Sequence, residues 1–440
     1  MNDISRLTID NSNLLSDVIG ENGISNQEIE ALSPRLDNLR SKIDGWYNQS
    51  TPHFLNLPRT AQLEEIKLRG QEFARNFKHT VIFGIGGSSL GGEMLIRTLG
   101  HHNPRNKVKF YDNVDPSTLR ELNEVDWRET LLLIISKSGN TAETLSQFLA
   151  VLPRMERWLG EGNVRDHTLV ITENKEGALY ELAQRLSISV VEHPPVGGRF
   201  SVLSVVGLLP AYISGVDIDG LLEGARAMAK RCTENNMLEN PAFYNGATHY
   251  LHAQKGRSIT LMMPYSDNMR LIVNWFRQLW AESLGKVDPN GKCVGFTPME
   301  AHGVTDQHSV LQLLLDGPDD KLVTFLTDPS QRYEGQRVPM RFQDIPAIAP
   351  LAGHTIGELF MSEMKATRTS HANRQRPNRT IALLDRDAYA LGELIILLEM
   401  ETVVVGELLG IDPFDQPAVE ESKVLTRQYL AELQAMDLTV

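Results

Sequence analysis

The chain has 440 residues, which is too long for one hydrophobic core, so we expect two or three domains. A hydrophobic fraction of 41%, a charged fraction of 22% and a net charge of −13 are typical of a globular protein, and the negative charge argues against nucleic acid or an anionic membrane as a partner. The two cysteines lack metal or redox spacing, the first residues lack a leader's basic and apolar parts, and no apolar run reaches membrane length, so we expect a cytoplasmic protein.

Residues 1–60 mix short apolar clusters with three prolines and predict a helical lead-in. From about residue 61, apolar runs alternate with helix-like segments, which indicates a doubly wound parallel sheet. Ligands of such sheets lie beyond the carboxyl ends of the strands. The predicted strands of this half are 81–85, 107–111, 131–135, 168–172 and 188–192.

The first strand runs into the glycine-rich turn GIGGSSLGG at residues 84–92. Glycines let the backbone approach a ligand closely, and the start of the next helix presents N–H groups that favour anions. The Lys-Ser or Lys-Thr pair of a P-loop is missing, and Ser89 replaces the last glycine of the dinucleotide-binding motif. Asp112, after the second strand, keeps a nucleotide-dependent dehydrogenase open as an alternative. The turn predicts a phosphorylated or polyhydroxylated ligand, or serves packing alone.

The third strand ends in SKSGNTAET, a loop rich in hydroxyl and amide side chains. Asn140, followed three residues later by Glu143, predicts a helix N-cap with a capping box. Ser136, Ser138 and Thr141 are then placed to direct hydroxyls, with helix N–H groups, at a phosphate. Ordinary helix capping is the alternative.

A single cation, Arg199, follows the Pro-Pro and Gly-Gly turn of HPPVGGRF. No acidic partner is close in sequence, so we expect this guanidinium to serve an anion or a developing negative charge, the alternative being a tie between domains.

The second half repeats the alternation after an amphipathic helix at 217–232, with predicted strands at 258–263, 322–327 and 379–384. In the helix DNMRLIVNWFRQLWAESLGK, Gln278 and Glu282 are one turn apart on one face. The apolar residues around Glu282 predict a partly buried carboxylate, although a solvent-facing stripe explains the same spacing. His302 and His308 do not match a zinc pattern, and no metal is inferred.

Five segments of the sequence together resemble the glucose-6-phosphate isomerase family, in its shorter bacterial form, from about residue 60 to the C-terminus. They are GIGGSSLGG, SKSGNTAET, GGRFSVLSVVGLLP, QLWAESLGK and PFDQPAVEESK. The resemblance implies two sugar-isomerase-type three-layer α/β/α sandwich domains with parallel sheets, plus N-terminal and C-terminal helical segments. The implied division is 1–60, 61–216, 217–405 and 406–440.

The resemblance also implies a role for each matching residue. Ser136, Ser138 and Thr141 would hold the substrate phosphate, with Lys137 contributing its backbone. The sugar would lie against Gly87 and Ser88, with Gln278 and Gln416 nearby.

The same resemblance assigns the chemistry. Glu282 would be the base that moves a proton between C2 and C1, and Arg199 would lie beside the reacting carbons. His308 and Lys423 would open the sugar ring, the histidine coming from the neighbouring subunit of a homodimer. The substrate would be a phosphorylated hexose, with no cofactor and no metal.

The sequence departs from the family pattern at two places, which concern substrate preference rather than the class of reaction. Ser138 and Asn140 stand where the family commonly has threonines, and Ser89 stands where an acid is frequent. A non-catalytic sugar-phosphate sensor of the same domain type is the alternative function, although it would need only the hydroxyl loops.

Overall fold

Two five-stranded sheets and their covering helices form the protein, described by a computed structural model over residues 5–99, 106–173, 175–234 and 236–437. The strands are β1 (Leu7–Asp10), β2 (His79–Phe83), β3 (Lys107–Tyr111), β4 (Thr130–Ile135), β5 (Thr168–Thr172), β6 (Ser189–Glu192), β7 (Ile259–Tyr265), β8 (Lys286–Val287), β9 (Cys293–Val294), β10 (Thr297–Glu300), β11 (Lys321–Thr327) and β12 (Asn378–Leu383).

The helices lie between these strands and at both ends of the chain. They are α1 (Ser16–Ile19), α2 (Asn26–Glu30), α3 (Asp37–Asn48), α4 (Leu57–Thr60), α5 (Leu63–Asn76), α6 (Leu90–Leu99), α7 (Pro116–Leu119), α8 (Ala142–Leu159), α9 (Ala178–Arg185), α10 (Val205–Ile213), α11 (Ile218–Arg231), α12 (Pro241–Gln254), α13 (Arg270–Leu284), α14 (Leu311–Asp316), α15 (Ile356–Asn373), α16 (Ala388–Leu409) and α17 (Glu420–Asp437). None of the described helices combines the length and the apolar character that crossing a membrane requires.

The two sheets share one strand order. The first sheet is β3-β2-β4-β5-β6, all parallel, and the second is β1-β12-β11-β7-β10. Counted along the chain, the parallel strands of both sheets follow the order 2-1-3-4, and the second sheet replaces the fifth parallel strand with the antiparallel β1. The expected repeat of architecture is therefore confirmed at the level of topology, as is the parallel α/β fold class.

The predicted strands are present, with end points that differ by two residues at most. The strands at 107–111 and 168–172 have the predicted bounds, whereas the strand predicted at 81–85 spans His79–Phe83. The prediction missed β10, an edge strand that contains Pro298, because proline weakens the signal of a strand.

The N-terminal segment was expected to be helical, but it also contributes the strand β1 to the second sheet. Leu7 to Asp10 pair antiparallel with β12, which closes that edge of the sheet. The segment, both sheets and the buried helix α16 share one large apolar cluster. The boundaries at residues 60, 216 and 405 stay a prediction.

Candidate active site

The glycine turn after β2 lets two loops approach each other. A Cβ atom on Gly87 would lie 2.1 Å from the carbonyl carbon of Gly198, so only glycine fits there. Gly86 has φ +57°, and a Cβ on it would lie 3.0 Å from Nε2 of Gln278. The turn, Gly86–Ser88, therefore packs against the Arg199 turn on one side and against α13 on the other.

The SKSGNT loop lies beside this turn, because β4 is the neighbour of β2 in the sheet. Oγ of Ser136 lies 2.8 Å from Oγ1 of Thr141 and accepts a hydrogen bond from the N–H of Gly139 at 3.2 Å. Oγ of Ser138 accepts from the N–H of Asn140 at 3.2 Å. The loop thus collects hydroxyls at the carboxyl edge of the sheet and the start of α8.

The predicted cap of α8 is wrong. Thr141, not Asn140, occupies the N-cap position, and its side chain makes no capping hydrogen bond. The Asn140 side chain is used elsewhere, because its Oδ1 accepts from the N–H of Ala178 at 3.0 Å. No cap side chain therefore covers the first N–H groups of this 18-residue helix, which suits an anion.

The ammonium of Lys137 pairs with a carboxylate. Its Nζ lies 3.4 Å from Oε2 of Glu173, and its carbonyl accepts from the N–H of Glu173 at 3.2 Å. The ammonium of Lys137 is thus paired within the protein, and the role of its backbone toward a phosphate stays a prediction.

Arg199 is buried, with 2% of its surface exposed, at the turn Gly198–Phe200. Its Nε donates to Oγ of Ser283 at 2.7 Å and its Nη1 donates to Oε1 of Gln416 at 2.8 Å. Its Nη2 donates to the carbonyls of Pro413 at 2.6 Å and Asp415 at 3.0 Å. Burial lowers the pKa of Arg199 from its usual value, opposed by the charge of Glu282 and other nearby carboxylates. The four hydrogen bonds hold the guanidinium of Arg199 in one position.

Glu282 and Gln278 share one face of α13, as their spacing predicts. Nε2 of Gln278 donates to Oε2 of Glu282 at 3.1 Å, and Oε1 of Glu282 lies 3.6 Å from Nη1 of Arg199. The Glu282 side chain is 27% exposed, which confirms partial burial. Oε1 of Gln278 is buried without a hydrogen-bond partner among the described residues, so it is available to a ligand hydroxyl.

Gln278 and Glu282 border a cavity of about 970 Å³, a volume typical of small-molecule sites. Among the described residues that line it are Gly86, Asn274, Gln278, Glu282, Lys286 and Gln416. Three amides, a carboxylate and the Lys286 ammonium thus converge on one opening. Arg199 is not among the described lining residues, but it hydrogen-bonds Gln416 and lies 3.6 Å from Glu282.

Sequence reasoning missed Lys286, which follows α13 directly. Its Nζ donates to the carbonyls of Glu282 at 2.7 Å and Asp415 at 2.8 Å. Burial lowers its pKa, and the charge of Arg199 acts in the same direction. Its position just past the end of a helix, where cations satisfy the last carbonyls, was the available signal.

Sequence reasoning also gave no role to the residues before 60. Trp46 and His53 stack at 4.6 Å, and Phe54 lies 5.1 Å from Phe200, which in turn lies 5.3 Å from Phe414. These aromatic rings pack against Phe200 in the Arg199 turn and against Phe414 in the segment before Gln416. The N-terminal segment is therefore part of the support of the site.

His308 and Lys423 do not join the others within one chain. His308 is exposed in the turn Thr305–His308, and neither residue is among the described residues that line the cavity. Lys423 is exposed on α17, where its Nζ lies 2.6 Å from Oε1 of Glu420. One chain thus assembles Gln278, Glu282, Arg199 and Gln416 and leaves this pair outside.

Comparison with known sequences places the chain beside sugar-phosphate isomerases. Residues 61–439 match the family described as phosphoglucose isomerase. A glucose-6-phosphate isomerase of Rubrobacter xylanophilus is 40% identical over 434 residues, covering 96% of this chain and 97% of the relative. One of Carboxydothermus hydrogenoformans is 37% identical over 437 residues, covering 96% and 94%.

Solved structures agree in fold. A hypothetical protein from Thermus thermophilus superposes with a TM-score of 0.85 at 33% identity, covering 97% of this chain and all of the other. A glucose-6-phosphate isomerase from Chlamydia trachomatis superposes with a TM-score of 0.81 at 21% identity, covering 98% and 90%, which bears on the fold alone.

Proposed function

The chain belongs to the phosphoglucose isomerase family, and from this premise we propose that it interconverts D-glucose 6-phosphate and D-fructose 6-phosphate in glycolysis and gluconeogenesis. It is an aldose–ketose isomerase. The observation that carries the proposal is the Glu282 carboxylate at the cavity wall, between the Gln278 amide and the Arg199 guanidinium. A base with a fixed cation beside it suits proton abstraction from a carbon next to a carbonyl.

Glu282 takes the C2 proton of the open-chain sugar and returns it to C1 through a cis-enediolate. A second proton moves from the C2 hydroxyl to O1, so that the C1 carbonyl becomes a hydroxyl and the C2 hydroxyl becomes a carbonyl. General base catalysis contributes on the order of 10²- to 10⁴-fold, so the enediolate needs stabilisation as well. Arg199 supplies a buried positive charge for it without reorganisation, because its three nitrogens are already hydrogen-bonded to protein. The amides of Gln278 and Gln416 orient the sugar hydroxyls.

The phosphate binds at the start of α8, away from the reacting carbons. The hydroxyls of Ser136, Ser138 and Thr141 and the backbone of Lys137 surround it, and the uncapped N–H groups of the helix complement its charge. Gly87 and Ser88 lie against the sugar. Binding energy from the phosphate positions C1 and C2 over Glu282.

His308 and Lys423 open the sugar ring, with His308 supplied by the second subunit of a homodimer. Imidazole suits this step because its two ring nitrogens can donate and accept protons. Supporting the dimer, α17 exposes apolar side chains at Val424, Tyr429, Leu430 and Leu433, and the stretch 333–356 exposes Tyr333, Met340, Phe342 and Ile356. Large apolar side chains exposed close together in this way are typical of a surface that another protein covers.

The enzyme needs neither metal nor cofactor, works in the cytoplasm, and has no nucleic-acid or membrane partner. The scheme requires only side chains, and the net charge of −13 disfavours polyanions.

The test is glucose 6-phosphate formation from fructose 6-phosphate by the purified protein, with and without a metal chelator. We expect equal turnover in both. Phosphosugar binding without turnover would instead make the protein a non-catalytic sensor, and loss of turnover in chelator would make it metal-dependent.

A further inference from the structure

Two cations hold the segment 413–416 against the C-terminal end of α13. Arg199 donates to the carbonyl of Pro413, the carbonyl of Asp415 and the side chain of Gln416. Lys286 donates to the same Asp415 carbonyl at 2.8 Å, and its Nζ lies 3.4 Å from Oδ1 of that residue. One carbonyl oxygen thus accepts hydrogen bonds from both cations.

Lys286 connects this segment to the helix that carries the base. Its Nζ donates to the carbonyls of Glu282 at 2.7 Å and Ser283 at 3.2 Å, which belong to the last turn of α13. An ammonium has three N–H donors, and here they serve α13 and the segment at once. The side chain is 8% exposed, so water cannot easily replace these bonds if the ammonium is removed.

The segment 413–416 leads directly into residues that are proposed to bind the sugar and open its ring. Gln416 lines the cavity, and Lys423 follows on α17. Arg199 has a further anchor on α13 through Ser283, whereas Lys286 is the cation that joins the last-turn carbonyls of α13 to Asp415. Loss of Lys286 removes one of the two cations that tie the segment to α13, whereas Glu282 keeps its place within the helix.

We propose that Lys286 is a positioning residue for the ring-opening step, because it fixes the segment 413–416, and with it Gln416 and the start of α17, to the helix that carries Glu282. This inference rests on the proposed isomerase function. Lys286 borders the cavity, but its Nζ donates to three backbone carbonyls, so the inference assigns it no hydrogen bond to substrate. Its effect passes through the residues that it holds.

The test compares Lys286→Met with Lys286→Arg, using Lys292→Met as the matched control. β8 and β9 pair antiparallel as a two-stranded hairpin that begins at Lys286, and Lys292 is exposed in the turn between them. For Lys286→Met we expect kcat/KM for fructose 6-phosphate to fall on the order of 10- to 100-fold, mainly through kcat. Lys286→Arg, which keeps a cation able to reach the carbonyls, should recover part of the loss, and Lys292→Met should match the parent.

A second substrate separates positioning from general damage. Erythrose 4-phosphate cannot close a ring and so does not need ring opening. We expect the fold decrease in kcat/KM caused by Lys286→Met to be at least about threefold smaller on this substrate than on fructose 6-phosphate. Should Lys286→Met fail to fold, Asp415→Ala, which removes only the carboxylate partner, should give a smaller loss with the same substrate bias.

Two results would overturn the inference while the parent enzyme isomerises normally. One is kinetics of Lys286→Met equal to those of Lys292→Met. The other is an equal loss on both substrates, which would make Lys286 a general support of the fold. A parent enzyme with no isomerase activity would instead overturn the proposed function itself.

Discussion

Arg199 and Glu282 approach each other to 3.6 Å without forming a tight hydrogen bond. Four of the five N–H donors of Arg199 are committed to Ser283, Gln416 and two backbone carbonyls, so the guanidinium does not clamp the carboxylate in a two-bond pair. Glu282 therefore keeps an oxygen free to accept a proton, while the positive charge behind it remains available to a developing enediolate.

His308→Ala should slow the cyclic substrate far more than an open-chain one. If imidazole assists ring opening, kcat for fructose 6-phosphate should fall on the order of 10²-fold, with a much smaller loss on erythrose 4-phosphate. His79→Ala, at the amino-terminal end of β2 and so at the opposite edge of the sheet from the site, is the control. Equal losses on the two substrates would give His308 a different task.

Two inactive variants should restore each other if the site is shared between subunits. In a mixed dimer of Glu282→Gln and His308→Ala chains, one of the two sites receives an intact Glu282 and an intact His308. Co-expression should then recover roughly a quarter of the parent activity, because half of the dimers are mixed and half of their sites are intact. Activity no higher than that of the separate variants would place both groups on one chain.

Ser136→Ala should weaken binding of the phosphate more than it slows the chemistry. A hydrogen bond to a charged group is worth about 1.5–3 kcal/mol, so KM should rise on the order of 10- to 100-fold with a smaller change in kcat. Ser146→Ala, at an exposed position on α8, is the matched control. A fall in kcat at constant KM would move Ser136 from the phosphate to the reacting end.

Buried neutral histidines should make stability depend on pH below 6.5. Burial lowers the pKa of His193 from 6.5 to about 4, against the effect of the Pro194 carbonyl, and lowers that of His252 to about 3, helped by Arg257. The unfolded chain then binds more protons than the folded one as pH falls from 6.5 to these values. Stability is fully present above pH 6.5 and is lost through this window, at up to about 1.4 kcal/mol per pH unit for each histidine.

Denaturant unfolding between pH 6.5 and pH 5 checks this. His193→Asn, whose amide nitrogen takes the place of Nδ1, can still donate to the Pro194 carbonyl but does not titrate. It should reduce the slope of the unfolding free energy against pH by the equivalent of about one bound proton. An unchanged slope would mean that His193 does not carry the effect.

Local patterns in the sequence predicted the sheets and the Gln278–Glu282 pair. Parallel strands buried on both faces are apolar runs, and residues four apart share a helix face, so both signals are short-range. β1 and β10 escaped prediction because a four-residue strand and an edge strand containing proline carry weak signals.

The support of the site was not predictable in the same way. Arg199 meets Ser283 and Pro413 across 84 and 214 residues of sequence, and Lys286 meets Asp415 across 129. The sequence around Asn140 is typical of a helix N-cap, yet in the folded protein its side chain accepts a hydrogen bond from the N–H of Ala178 instead. Contacts of this range depend on how the sheets and the terminal segment come together.

The most direct test of the central claim follows protons during conversion of fructose 6-phosphate to glucose 6-phosphate in deuterated water. A carboxylate that removes a proton, holds it and returns it exchanges part of it with solvent, so the parent enzyme should place deuterium at C2 of the product. Glu282→Gln should lose both turnover and exchange while still binding the phosphosugar, and Glu64→Gln, with a side chain 91% exposed, should behave like the parent. Turnover by the parent without solvent deuterium, or exchange that survives in Glu282→Gln, would contradict Glu282 as the base.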